Sequence, residues 1–94
     1  MKATIQIESL RQDEYRVIIR ESGDQSEHLV IAPTEYCESL TGGTIPVADL
    51  LRLSFEFLLD REPKESILRR FELPVIARYF PEYEQAMKHR IAAG

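Results

Sequence analysis

The chain has 94 residues, of which 44% are hydrophobic and 30% are charged, and its formal net charge at pH 7 is −4. A length of this order predicts one domain, and the patterned apolar content excludes a disordered chain. No apolar run is long enough to span a bilayer, so we expect neither a membrane protein nor a membrane partner.

The start of the chain and its cysteine content bear on location. The first ten residues, MKATIQIESL, alternate polar and apolar side chains and lack the apolar core of a signal peptide. Cys37 is the single cysteine, which excludes an internal disulfide. Together these features predict a cytoplasmic location.

The charges are unevenly distributed along the chain. Residues 1–43 carry four Lys or Arg against eight Asp or Glu, whereas residues 44–94 carry eight of each kind. The first half is expected to repel a phosphate backbone, and the second half has no overall attraction for one. We therefore do not expect nucleic acid as a partner.

The first third of the chain has the period-two alternation of strands. We predict strands at residues 3–9, 14–21 and 28–32. Ile18 is the odd apolar residue on the outer face, residues 21–27 are predicted as a turn, and Pro33 ends the third strand. Three antiparallel strands with one polar face need cover on the other face.

Helices are predicted to supply that cover. They run from Thr34 to about Leu40, from Pro46 to about Asp60, from Pro63 through Phe71, from Pro74 through Phe80, and from Pro81 onwards. The inward residues of the third and fourth are Ile67, Leu68, Phe71, Val75, Ile76, Tyr79 and Phe80. The predicted class is α+β, with a three-stranded antiparallel sheet (residues 1–32) followed by four or five short helices (residues 34–92) packed on one face.

The longest predicted helix, which begins at Pro46, has an unusually wide apolar arc. One face carries Val47, Leu50, Leu51, Ser54, Phe55 and Leu58. Leu53 and Phe57 add a second apolar flank, and an arc this wide indicates contact on more than one side.

The segment 63–81, where two predicted helices meet at Pro74, has an alternative interpretation as a helix-turn-helix. A helix that reads DNA presents several outward polar side chains to base edges. The second helix offers Arg78 for this purpose, and the first offers Arg69 and Arg70 with glutamates interleaved. We therefore favour a packing corner and keep a DNA-associated regulator as the alternative.

Other candidate sites are weaker. Cys37 lies between Glu35 and Glu38, which disfavour a thiolate, so we interpret it as a structural cysteine. His28 is interpreted as a polar residue at the end of a strand. No two His or Cys residues have the short spacing of metal ligands. The sequence predicts no catalytic residue, no cofactor, and no metal site.

Three segments carry a resemblance to known proteins. They are HLVI with LTGG (residues 28–43), LLRLSFEFLLDREPKESIL (50–68) and FELPVIARYFPEYE (71–84). Over about residues 26–85 the chain resembles a set of short bacterial proteins of unknown function that share SFEFLLxREP and YFPEY segments. The resemblance implies a bacterial source and no assigned activity, and it brings no catalytic residues.

The function that these patterns predict is protein interaction or assembly by a small soluble domain. The candidate partner-binding residues are Leu53, Phe57, Arg69, Arg70 and Arg78. We predict a homodimer and a further protein partner, with self-association through a sheet edge at 3–9 or 27–32, or through the second apolar flank. A DNA-associated regulator using residues 63–81 is the alternative, and an enzyme of unknown reaction is a third interpretation.

Overall fold

The computed structural model describes residues 3–93, and within that range the chain folds into one four-stranded mixed sheet and four α-helices. The strands are β1 (Thr4–Arg11), β2 (Glu14–Glu21), β3 (Asp24–Ile31) and β4 (Arg70–Glu72), and the helices are α1 (Thr34–Thr41), α2 (Val47–Leu59), α3 (Val75–Tyr79) and α4 (Tyr83–Ala93). The α+β class is confirmed. The predicted domain spans residues 1–94, of which 1, 2 and 94 lie outside the described range.

The first three strands form the predicted antiparallel meander. A two-residue turn joins β2 to β3, because Ser22 and Gly23 both adopt positive φ values, of 53° and 81°. Such a turn matches the twist of a hairpin. The predicted turn over 21–27 is therefore too long, and β3 begins at Asp24. The longer strand carries His28 on the inner face of the sheet.

The predicted helix from Pro63 through Phe71 is wrong. A 3-10 turn forms at Lys64–Ser66, and the chain then continues as strand β4. In this strand Phe71 is buried while Arg70 and Glu72 are exposed. This alternation with a period of two is that of a strand with one covered face.

β4 runs parallel to β3 and completes the sheet in the order β1-β2-β3-β4. Leu29 N–H donates to the Arg69 carbonyl at 2.7 Å, and Leu73 N–H donates to the Ile31 carbonyl at 2.8 Å. The sheet therefore has four strands and mixed direction rather than three antiparallel ones. The predicted edge at 27–32 is wrong, since β3 is paired on both sides and the edges are β1 and β4.

The hydrophobic core lies between the inner face of the sheet and the helices. The predicted inward face of α2 is confirmed for Leu50, Leu51, Ser54, Phe55 and Leu58, which are all buried. Ser54 is accommodated there because its hydroxyl donates to the Leu50 carbonyl at 2.7 Å and lies 2.6 Å from the Tyr83 hydroxyl. Buried polar atoms that have partners cost little, so α2 keeps one continuous packing face.

The outer face of the sheet is covered by its own polar side chains. Ile18 is buried on this face, and its register partners are Gln6 and Glu27. Arg20 donates to the Gln6 side chain at 2.8 Å, and Arg16 lies 3.8 Å from Glu27. The stems of long polar side chains can cover an apolar neighbour in this way, so Ile18 is not an exposed contact point.

Candidate interaction surface

An apolar pocket of about 340 Å³ opens beside β4, between the end of α2, the segment after the 3-10 turn, and α3. Its lining residues are Leu58, Glu62, Ser66, Ile67, Leu68, Phe71, Val75, Ile76, Tyr79 and Phe80. We call this the β4 pocket. Concave, mainly apolar surfaces of this size are where small molecules and anchoring side chains of partners bind.

Two large apolar side chains at the rim of the β4 pocket face solvent. Leu68 is 46% exposed and Tyr79 is 68% exposed. Both were predicted to point inward, and both predictions are wrong. Within the described residues the third large hydrophobic side chain with such exposure is Leu10, on β1. Exposed apolar groups that cluster beside a pocket indicate an interaction site.

His28 fixes the backbone of this rim. It is buried, its Nδ1 lies 2.8 Å from the Leu68 carbonyl, and its Nε2 lies 2.9 Å from the Ser26 hydroxyl. The carbonyl only accepts, so Nδ1 carries the proton and Nε2 accepts from Ser26 in the neutral ring. Burial lowers the pKa of His28 and outweighs the hydrogen bond to the Leu68 carbonyl, which raises it, while the nearby Arg69 charge adds to the lowering, so the neutral ring is favoured. His28 is therefore an interior anchor rather than a polar strand end.

Lys64 anchors the other side of the same segment. Its side chain is only 5% exposed, and its ammonium contacts the carboxylates of Asp24, at 3.0 Å, and of Glu65. Hydrogen bonds to these carboxylates raise the pKa of Lys64 and hold the pKa values of Asp24 and Glu65 below their ordinary range. The 3-10 turn is thereby tied to the β2–β3 hairpin.

The outer edge of β4 carries backbone groups that point away from β3. β3 bonds to the Arg69 carbonyl and to the Leu73 N–H, on either side of Phe71. In a parallel ladder with this spacing, the N–H and C=O groups of Phe71 also point toward β3. The N–H and C=O groups of Arg70 and Glu72 then point outward. Within residues 3–93 these four groups accept or donate no backbone hydrogen bond.

The three predicted partner-binding arginines are exposed and belong to different parts of the segment after the 3-10 turn. Arg69 lines a polar depression beside His28 and Lys64. Arg70 lies on the outer face of β4, in register with Leu29, and Arg78 lies on α3 next to the exposed tyrosine. Within residues 3–93 none of the three forms an ion pair or a side-chain hydrogen bond.

The predicted second flank of α2 is not an open surface. Phe57 is only 1% exposed, because the guanidinium of Arg61 lies 3.5 Å from its ring centroid and the rings of Phe80 and Tyr83 pack edge-on against it. Leu53 is half-buried and packs against the core. In the single chain, Phe57 is therefore buried and Leu53 has little exposed surface, and their role in partner binding stays a prediction.

Other reactive groups are held in unreactive forms. Burial, with a smaller contribution from Asp13, raises the pKa of the Cys37 thiol to about 11, so a thiolate is disfavoured at neutral pH.

Among residues 3–93, no group of three or more His, Cys, Asp or Glu side chains is placed to hold a metal ion. None of the helices described between residues 3 and 93 has the length and apolar content to cross a membrane.

Comparison with known proteins gives no match to a family model, a curated protein or a solved structure. The resemblance to short bacterial proteins therefore stays a prediction.

The sequence pattern does not predict the β4 pocket, because residues 63–71 also fit a helix. The one local sign of a strand is RFEL, residues 70–73, where polar and apolar residues alternate. That run is too short to be distinguished from a helical pattern by periodicity alone.

Proposed function

We propose that this chain is a protein-interaction and assembly module that binds its partner at the β4 pocket and the open edge of β4. The observation that carries the proposal is the clustering of Leu68 and Tyr79, both exposed, at the rim of one apolar pocket. Burial of such side chains on binding removes apolar surface from water, at about 25 cal/mol per Å².

The neighbouring strand edge supports the same conclusion. The outward N–H and C=O groups of Arg70 and Glu72 offer up to four backbone hydrogen bonds to an added strand. Strand addition supplies affinity through the main chain, and adjacent pockets supply selectivity through side chains. An apolar pocket beside an open edge provides both.

A DNA-associated regulator is less well supported by the fold. The helix-turn-helix needs two consecutive helices in 63–81, and the first of them is replaced by a 3-10 turn and strand β4. Arg69 lines the polar depression beside His28, Arg70 lies on the outer face of β4, and Arg78 lies on α3. A tight DNA-binding surface makes on the order of 6–10 phosphate contacts.

A selection of random peptides on the immobilised wild-type chain tests the proposal. We expect the enriched peptides to shift the backbone amide NMR signals of residues 68–72 and 75–80. The variant Tyr79→Ser should weaken their binding at least about tenfold, a loss of about 1.4 kcal/mol. The matched control is Leu10→Ser, which removes an exposed apolar side chain from β1 and should leave binding unchanged.

Two outcomes contradict this proposal. One is peptides that bind wild type and Tyr79→Ser with equal affinity, which would place binding elsewhere. The other is a selection that enriches no peptide able to shift the signals of the β4 pocket.

A further inference from the structure

The geometry points to a second copy of this chain as the partner at the β4 edge. The two β4 strands would pair antiparallel about a two-fold axis that passes midway between Phe71 and the partner's Phe71. The two sheets would then form one continuous eight-stranded sheet. This inference rests on the proposed function, since it names the partner of that surface.

The backbone of β4 suits this register. With Phe71 opposite its own copy, Arg70 lies opposite the partner's Glu72, and Glu72 opposite the partner's Arg70. The N–H and C=O groups of both residues point outward. Residues opposite each other in a hydrogen-bonded antiparallel pair exchange two bonds, so all four outward groups of each chain are satisfied.

The side chains of β4 are complementary in the same register. Arg70 and Glu72 lie on the outer face of the sheet, in register with Leu29 and Ile31. Both are exposed, and within residues 3–93 neither has an ion-pair partner. A two-fold axis through Phe71 sets each of them opposite the contrary charge, and opposite charges across an antiparallel pair are stabilising.

The apolar surface lies on the inner side of the same edge. Leu68 and Tyr79 flank the strand and face solvent in the single chain. A closed two-fold interface brings the same patch of both chains together, so each copy can cover exposed apolar surface of the other. The three-residue strand is short, so this surface must contribute much of the affinity.

Charge-reversal variants test the pairing. The wild-type chain should sediment at twice 10.9 kDa at about 10–100 μM, where a micromolar dimer is populated. Arg70→Glu places glutamate opposite glutamate, and Glu72→Arg places arginine opposite arginine. Each variant alone should weaken the dimer at least about tenfold.

Complementation makes the test specific. In an equimolar mixture of Arg70→Glu and Glu72→Arg, every cross-strand pair is again of opposite charge, so the heterodimer should form. The double variant Arg70→Glu/Glu72→Arg should also recover the homodimer. Arg69→Glu changes the net charge as much as Arg70→Glu but has no charge opposite it in this register, so it should leave the dimer intact.

Several results overturn this inference. They are a wild-type chain that sediments as a monomer of 10.9 kDa, a dimer that survives both single reversals, and a mixture that stays monomeric. A monomer that still binds the selected peptides at Tyr79 rejects the second copy but retains the proposed function. A monomer that binds no such peptide rejects both.

Discussion

β1 and β4 are the two edges of one sheet, and they differ in length, in the use of their outward backbone groups and in what lies beside them. β1 has eight residues and β4 has three. Arg52 of α2 donates to the Ile5 carbonyl of β1 at 2.6 Å, and the register of β1 shifts between Ser9 and Arg11. β4 has neither feature and borders an apolar pocket.

The difference shows which edge is protected against pairing. A long, flat edge attracts other strands, and natural proteins protect such edges with charged side chains, bulges or covering elements. β1 combines a covering arginine with an irregular end. β4 is protected only by its short length. Its unpaired N–H and C=O groups lie beside the exposed apolar side chains of Leu68 and Tyr79. The shorter edge is therefore the better candidate for specific binding.

The largest expected effect comes from removing the support beneath β4. Phe55 is fully buried, and its ring centroid lies 6.0 Å from that of Phe71 and 5.5 Å from that of His28. Phe55→Ala should lower the free energy of unfolding by about 3–5 kcal/mol, measured by chemical denaturation. Hydrogen exchange should show a greater loss of protection in β4 than in β1.

The control for that variant is Phe80→Ala. Phe80 is a half-buried phenylalanine of the β4 pocket, so its truncation should cost less. A loss below about 1 kcal/mol for Phe55→Ala would contradict the burial of this ring.

A smaller loss is expected when the anchor of the rim is removed. His28→Leu keeps an apolar side chain of similar size but leaves the Leu68 carbonyl without its donor. An unsatisfied buried acceptor costs about 1–3 kcal/mol. Because this contact is part-buried, we expect a loss toward the lower end of that range by denaturation at pH 7. The same substitution at the exposed His89 should change little. Equal effects at both sites would show that the contact with Leu68 contributes nothing.

The elements that depend on local pattern could be predicted from the sequence, and β4 could not. The buried face of α2 repeats with the helical period over several turns, and β1 and β2 alternate with a period of two over several residues each. β4 rests on pairing with β3, about 40 residues earlier in the chain, and Ile67 and Phe71 also fit a helical spacing of four. Long-range pairing overrode local propensity here.

The exposure of the candidate residues could be predicted only in part. Arg69, Arg70 and Arg78 are exposed as expected, whereas Phe57 is buried and Tyr79, predicted to point inward, is exposed. α3 has only five residues, so tertiary contacts rather than its own periodicity set which face is covered. Phe57 is buried because Arg61, four residues after it, lies over its ring and the rings of Phe80 and Tyr83 pack against it. Phe80 and Tyr83 are more than 20 residues away in the chain, so the local pattern gives no signal for these contacts.

The pH dependence of stability tests the burial of His28, which contacts the Leu68 carbonyl beside β4. The pKa of His28 in the folded chain is lowered by burial, so just below pH 6.5, its ordinary value, the unfolded state binds more protons. The free energy of unfolding should therefore have its full value above about pH 6.5 and should fall as the pH drops toward the pKa of His28 in the folded chain.

Denaturation curves at several pH values measure this slope. His28→Leu should remove it, whereas His89→Gln should retain it. The carboxylates of Asp24 and Glu65 have lowered pKa values and act at lower pH, so a slope confined to pH values below about 4 would contradict the role of His28.

The smallest expected effect lies at the other edge. Arg52→Met removes the donor to the Ile5 carbonyl while retaining an unbranched side chain on α2. Because Arg52 is exposed and water can replace the lost bond, the free energy of unfolding should fall by only about 0.5–1.5 kcal/mol. The control, Arg52→Lys, keeps a positive charge and a donor at this position. If β4 is the edge through which the chain assembles, sedimentation of Arg52→Met should match that of wild type or show additional association through the uncovered β1 edge. Loss of the dimer in this variant, with the fold intact, would instead assign the interface to β1 and reverse the comparison between the two edges.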